Sequence, residues 1–260
     1  MSEEASLNVD VVGHGAPTLL IHGFLEKGSM WDFLLERFPD RQYIVPDLPG
    51  HGSSDMPEDF NSMGSLADVC LDILDALEVV KADIIGHSLG GYVACELAHR
   101  APERVGSLMM YHSTSCEDAE VKKALRDRAM EMVKTHKTHY TRSMIGGLFP
   151  ENKKASYEAL VMQLSEEANE MSSEVIARHL KIMRDRNDHQ ETLNTASFPV
   201  GYLLGNADPR LPMDSMDQEK TRVNPSFWTV MDQTGHMSQF EEPNMATQHM
   251  IQWFKSIGGL

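Results

Sequence analysis

The sequence predicts an α/β protein: a mostly parallel sheet flanked by helices, with a helical insertion. Three observations predict it. Short apolar runs of strand length alternate with segments whose apolar residues recur at helical spacing. The alternation stops at residues 113–196, where only charged, methionine-bearing helical patterns occur, and then resumes. In Asp83-Ile84-Ile85-Gly86-His87-Ser88-Leu89-Gly90-Gly91, an apolar strand passes straight into a helix through a glycine-flanked serine.

Taken in order, residues 7–12 alternate apolar and polar side chains, as an edge strand does. A turn at 13–17 leads to a buried strand at 18–21, which ends at His22-Gly23-Phe24. A helix is expected at 30–38 and a strand at 43–46, followed by the turn-rich Asp47-Leu48-Pro49-Gly50-His51-Gly52-Ser53-Ser54. Apolar residues at 66, 69, 70, 73, 74 and 77 mark an amphipathic helix. The strand at 82–85, the helix at 92–98 and the strand at 105–111 follow. Helical segments are expected at 117–136, 153–170 and 173–186, with breaks at Gly146-Gly147 and Pro150. A strand at 200–204, a helix after Pro212, a strand at 227–231 and a closing helix at 245–257 complete the chain. Residues 1–112 and 197–260 thus form one core domain, and 113–196 a helical cap inserted into it. No repeat or low-complexity tract appears.

The formal net charge of −16 argues against nucleic acid and anionic membrane surfaces as partners. That charge is uneven. Residues 113–196 carry 14 acidic and 13 basic side chains, the remainder 25 and 10. The acidity reads mainly as a solvated surface, and secondarily as a means of repelling anionic substrates. Cys70, Cys95 and Cys116 are odd in number and far apart, which suits a reducing compartment. The acidic start Met1-Ser2-Glu3-Glu4-Ala5 lacks the features of a signal peptide, and no apolar run reaches membrane-spanning length. A cytoplasmic protein without metal or cofactor, acting on a small acyl substrate, is the expectation.

Gly86-His87-Ser88-Leu89-Gly90 matches G-x-S-x-G, a turn so tight that a Cβ at either flank would collide with neighbouring backbone. A serine hydroxyl is a poor nucleophile until a base takes its proton, and an acid must hold that base in one tautomer. Two later stretches supply these groups just past strand ends: Asp208 in Gly205-Asn206-Ala207-Asp208-Pro209-Arg210-Leu211-Pro212, and His236 in Asp232-Gln233-Thr234-Gly235-His236. In a parallel sheet strand C-termini share one edge, so Ser88, Asp208 and His236 converge there. With His22-Gly23-Phe24, the turn at 47–54 and Glu242-Pro243, these motifs resemble the α/β-hydrolase fold superfamily in its capped, esterase-like serine hydrolase branch. The resemblance implies Ser88 as nucleophile, His236 as base, Asp208 as orienter, and an oxyanion hole from the backbone amides of Phe24 and Leu89. It also implies an α/β-hydrolase sheet of about seven to eight strands, because the segment before the first buried strand is short.

Other residues carry blander readings. His22, His87, Asp47 and His51 are expected to bond locally. Asp232 rivals Asp208 by proximity to His236 but lies on the strand side of its turn. His136 and His139 have ligand spacing without a third ligand. Met130, Met144, Met162, Met171 and Met183 are packing residues, some lining an adaptable pocket. Phe24, Trp31, Met110 and His112 are candidate pocket neighbours by position. The expected activity is hydrolysis of a small, largely uncharged ester or thioester. A carbon–carbon bond hydrolase or lyase, a cofactor-free haloperoxidase and a ligand receptor that retains the triad are the alternatives, because fold does not fix substrate.

Overall fold

The computed structural model describes residues 6–35, 37 and 40–259. Its seven strands are β1 (Val9–Gly13), β2 (Ala16–Ile21), β3 (Arg41–Pro46), β4 (Ala82–His87), β5 (Val105–Tyr111), β6 (Val200–Gly205) and β7 (Phe227–Met231), in the order β1-β3-β2-β4-β5-β6-β7. β1 runs antiparallel to β3, and every other pair is parallel. The alternating segment 7–12 accordingly lies at the edge of the sheet.

Strand periodicity divides the apolar side chains between two layers. Leu19, Ile84, Leu108, Met110 and Tyr202 face one way, toward α2 (Met63–Ala76) and α3 (Leu89–Arg100). Leu20, Ile85, Met109, Tyr111 and Leu203 face the other, against Trp31, Leu34 and the closing helix with Met250, Trp253 and Phe254. In place of one helix at 30–38, a 3-10 turn (Gly28–Trp31) leads into the short α1 (Asp32–Leu35). Phe38 and the acidic start Met1 to Ala5 lie outside the described residues.

Between β5 and β6 the chain is helical: α4 (Glu120–Gly146), α5 (Glu158–Ala168), α6 (Ser173–Arg184) and α7 (Gln190–Asn194). The first segment does leave helical geometry at His136 (φ −137°, ψ 46°), as expected, and a second helical stretch then continues from that kink to Gly146. Beyond β6 come α8 (Met213–Val223), α9 (Ser238–Glu241) and α10 (Pro243–Ser256). No helix among the described residues is long and apolar enough to cross a membrane.

The insertion is fastened to the core through α6. His179, fully buried, donates from Nε2 to the Pro49 carbonyl at 2.8 Å, and its ring meets that of His51 edge-on at 4.4 Å. Burial pushes the His179 pKa down to about 4 and that of His51 well below its ordinary value. Both stay neutral when folded but take up protons once unfolded, so stability falls as pH drops from 6.5 toward 4. His179 alone contributes on the order of 2–3 kcal/mol to that loss. Urea unfolding of His179→Phe at successive pH values is expected to show a shallower acid slope than the parent. An unchanged slope would place the acid sensitivity elsewhere.

Candidate active site

Ser88 sits between β4 and α3 with φ 51° and ψ −111°, a left-handed backbone that a side chain adopts only under constraint. The flanking glycines impose it. A Cβ on Gly86 would lie 2.3 Å from the Gly90 carbonyl oxygen, and one on Gly90 would lie 2.2 Å from that of Ile21. The Ser88 carbonyl accepts from the Ser113 hydroxyl at 2.7 Å, while its own hydroxyl has no partner among the described residues.

Asp208 and His236 come to the same rim from the ends of β6 and β7. Asp208 Oδ1 accepts from the backbone amides of Arg210 (2.7 Å) and Leu211 (3.2 Å). That leaves Oδ2 to face His236 Nδ1 at 2.7 Å. Among the described residues Asp232 makes no hydrogen bond or ion pair with His236. Its carboxylate accepts from the Asn206 amide at 2.7 Å on the exposed surface. Burial would raise the Asp208 carboxyl, but the imidazoles of His236 and His112 outweigh it and hold the pKa far below the usual range. Burial lowers the pKa of His236 and Asp208 only partly restores it, so the imidazole is a neutral base at pH 7.

The loop bearing His236 is held from three sides. Glu241 accepts from the amides of Gly235 (3.0 Å) and Met237 (3.2 Å), and the Leu148 carbonyl, just beyond α4, accepts from the His236 amide at 2.9 Å. His87 donates from Nε2 to the His236 carbonyl at 3.0 Å and from Nδ1 to Glu26 Oε2 at 2.9 Å. Both ring nitrogens face acceptors, so the ring is an imidazolium. Glu26 raises its pKa against burial, and the cation lowers that of Glu26. His22 and Asp47 each make one local bond: His22 Nδ1 donates to the Gly23 carbonyl at 2.7 Å, and Asp47 Oδ2 accepts from the Ser53 amide at 2.9 Å. Each also joins two loops: His22 Nε2 accepts from the Leu48 amide at 2.8 Å, and Asp47 Oδ1 from that of Gly28 at 2.7 Å.

Ser88, His236 and Phe24 line one narrow cavity of about 30 Å³. The backbone amides of Phe24 and Leu89 are taken by no protein acceptor among the described residues. Met144 and Met183 reach this cavity from the insertion. Trp31, Met110 and His112 do not line it, which corrects the positional expectation. Trp31 packs on the opposite face of the sheet, 5.6 Å from the Tyr111 ring, and Met110 points into the α3 layer toward Cys95. His112 lies behind Asp208, its Nδ1 3.3 Å from Oδ2 and its Nε2 2.7 Å from Ser238 Oγ. Burial drives its pKa down to about 4. His112, Asp208 and His236 form the one group among the described residues with metal-ligating geometry, whereas His136 and His139 are exposed and outside it. Glu26, Tyr92, Lys122, Arg126, Leu148, Arg210 and Leu211 complete the cavity wall, and sequence reasoning named none of them as lining residues. Arg210, two residues after Asp208, was within reach of it.

Comparison with known proteins identifies the family of the fold. Residues 17–243 match the model of the alpha/beta hydrolase fold. An esterase from Thermogutta terrifontis, solved with malate bound, superposes with a TM-score of 0.89 at 26% identity, covering 98% of this chain and 95% of its own. Pimeloyl-[acyl-carrier protein] methyl ester esterase of Nitrosomonas europaea is 26% identical over 89% of this chain and 93% of its own length. 2-Hydroxymuconate semialdehyde hydrolase of Pseudomonas sp. strain CF600 is 36% identical over 41% of this chain and 39% of its own length. The chain spans only 30% of the length of the first curated relatives it matches, uncharacterized mycobacterial proteins.

Proposed function

The chain belongs to the alpha/beta hydrolase fold family, and from that premise we propose that it is a serine hydrolase of small esters or thioesters. One observation carries the reading. The imidazole of His236, held at Nδ1 by Asp208, lines the same narrow cavity as the strained and unpartnered Ser88. In the proposed reaction His236 Nε2 takes the Ser88 proton as Oγ attacks the acyl carbonyl. The carbonyl oxygen, now an anion, is met by the free amides of Phe24 and Leu89, where most of the stabilisation arises. Collapse breaks the bond to the alcohol or thiol, which leaves with the proton from His236. Water, deprotonated by the same imidazole, then frees the acid and restores Ser88. The residues between β5 and β6 act as the cap that walls the acyl site.

A fluorophosphonate probe is expected to label Ser88, and nitrophenyl esters of rising chain length to be turned over. Absence of labelling on folded protein would reject the serine enzyme. Labelling at Ser88 with negligible turnover of every ester would move the assignment to carbon–carbon cleavage, the reaction type of the second reading.

A further inference from the structure

The narrow cavity at Ser88 adjoins a groove of about 860 Å³ between the insertion and the core, and Lys122, Arg126, Met144, Arg210 and Leu211 line both. In a chain of net charge −16 this groove is basic: six lysine and arginine side chains line it against two glutamates. The contrast with the other large groove, about 770 Å³ and sharing only Glu26 with the cavity, is sharp. Its charged lining is five carboxylates and one lysine.

The basic side chains are not all occupied. Arg126 and Arg186 are paired with the buried Asp118, and Lys122 lies 3.7 Å from it. Arg210, Arg128 and Arg222 have no acidic partner among the described residues. The Arg210 guanidinium rests at 3.4 Å on the Met144 sulfur, and Arg222 reaches the side-chain Oε1 of Gln190 at 3.3 Å. Arg210 is half-buried, and its backbone is pinned by the hydrogen bond of its amide to Asp208. A half-buried guanidinium without a counter-ion, at the mouth of a reactive cavity, is a preorganised receptor for an oxyanion. Leu125 and Met132, 56% and 43% exposed, give the same groove an apolar floor.

We propose that the substrate carries a carboxylate or phosphate several atoms from the scissile carbonyl, bound by Arg210 with Lys122, and that its apolar remainder lies along this groove. The proposal rests on the serine hydrolase reading and narrows it. It also departs from the largely uncharged substrate expected from sequence.

The test compares mono-p-nitrophenyl adipate with p-nitrophenyl hexanoate, which share one skeleton and differ at its far end, a carboxylate against a methyl group. The parent protein is expected to favour the adipate ester by about tenfold or more in kcat/KM, mainly through KM. That preference should weaken as salt is raised. In Arg210→Gln the ratio of the two esters is expected to fall to about 1, in Lys122→Gln part of the way, and Arg210→Lys should keep part of it. A phosphonate-tipped ester of equal length separates the two anions: a ratio above that of adipate assigns phosphate, one below it carboxylate. A parent ratio at or below 1, or one unchanged in Arg210→Gln, would overturn the proposal. A second arm needs no turnover. Calorimetry on Ser88→Ala protein should show adipate binding about tenfold tighter than in Ser88→Ala/Arg210→Gln, with adipamide indifferent to the change. Equal adipate affinities would refute the anion site. Arginine-dependent binding without fluorophosphonate labelling would uphold the anion site while rejecting the hydrolase.

Discussion

Alanine at position 88 is expected to lower kcat by roughly 10⁴- to 10⁶-fold on any ester the protein cleaves, the scale seen when a nucleophile that acts with its base as a unit is removed. The Ser88 hydroxyl has no hydrogen-bond partner among the described residues and its carbonyl contacts are backbone features, so the substitution breaks no packing interaction. Alanine inherits the same positive φ, and the melting temperature should move little. Kinetics and thermal unfolding on one preparation separate the two effects. A variant that keeps near-parental turnover would remove Ser88 from the mechanism.

The second large effect is expected at Asp208. In Asp208→Asn the amides of Arg210 and Leu211 still demand an acceptor at the position of Oδ1. They therefore hold the amide carbonyl there and turn its NH₂ toward His236. The imidazole must then accept at Nδ1 and carry its proton on Nε2, the tautomer that cannot deprotonate Ser88. A fall of about 10⁴ in kcat is expected from that exchange. The acid limb supplies a sign. Asp208 raises the His236 pKa against burial, so its neutralisation should move the limb of the residual kcat/KM to lower pH. Rates between about pH 5 and 8 measure it, and a limb moved to higher pH would contradict the assignment.

The places where sequence reading succeeded and failed have a common physical origin. That Ser88, Asp208 and His236 come to one rim was legible because each lies within a few residues of the end of an apolar strand, and parallel strands deliver their C-termini to one edge. Trp31 and Met110 were misplaced because proximity along the chain was taken for proximity in space. Strand parity sends Met110 into the helix layer, and the turn before α1 sends Trp31 to the far face. His22 and Asp47 were read as local, which holds for their bonds to Gly23 and Ser53 but misses the amides of Leu48 and Gly28, which the fold brings from other loops. Arg210 was invisible for another reason. Whole-chain charge conceals a local reversal, and only the fold, by placing α4 beside the loop after β6 and α8, gathers residues 122, 126, 128, 210 and 222 into one groove. Likewise nothing in residues 145–150 signals that the Leu148 carbonyl fastens His236.

The bond from His87 to the carbonyl of residue 236 has a bearing on how the molecule is made. The cationic ring and its glutamate are translated early, within the first ninety residues, whereas the oxygen that completes them is among the last parts of the sheet to be synthesised. Until the chain after β7 docks, one N–H of that ring lacks this acceptor, and burying it so is costly. The bond thus ties the turn that carries the reactive alcohol to the loop that carries the imidazole, across 149 residues of sequence.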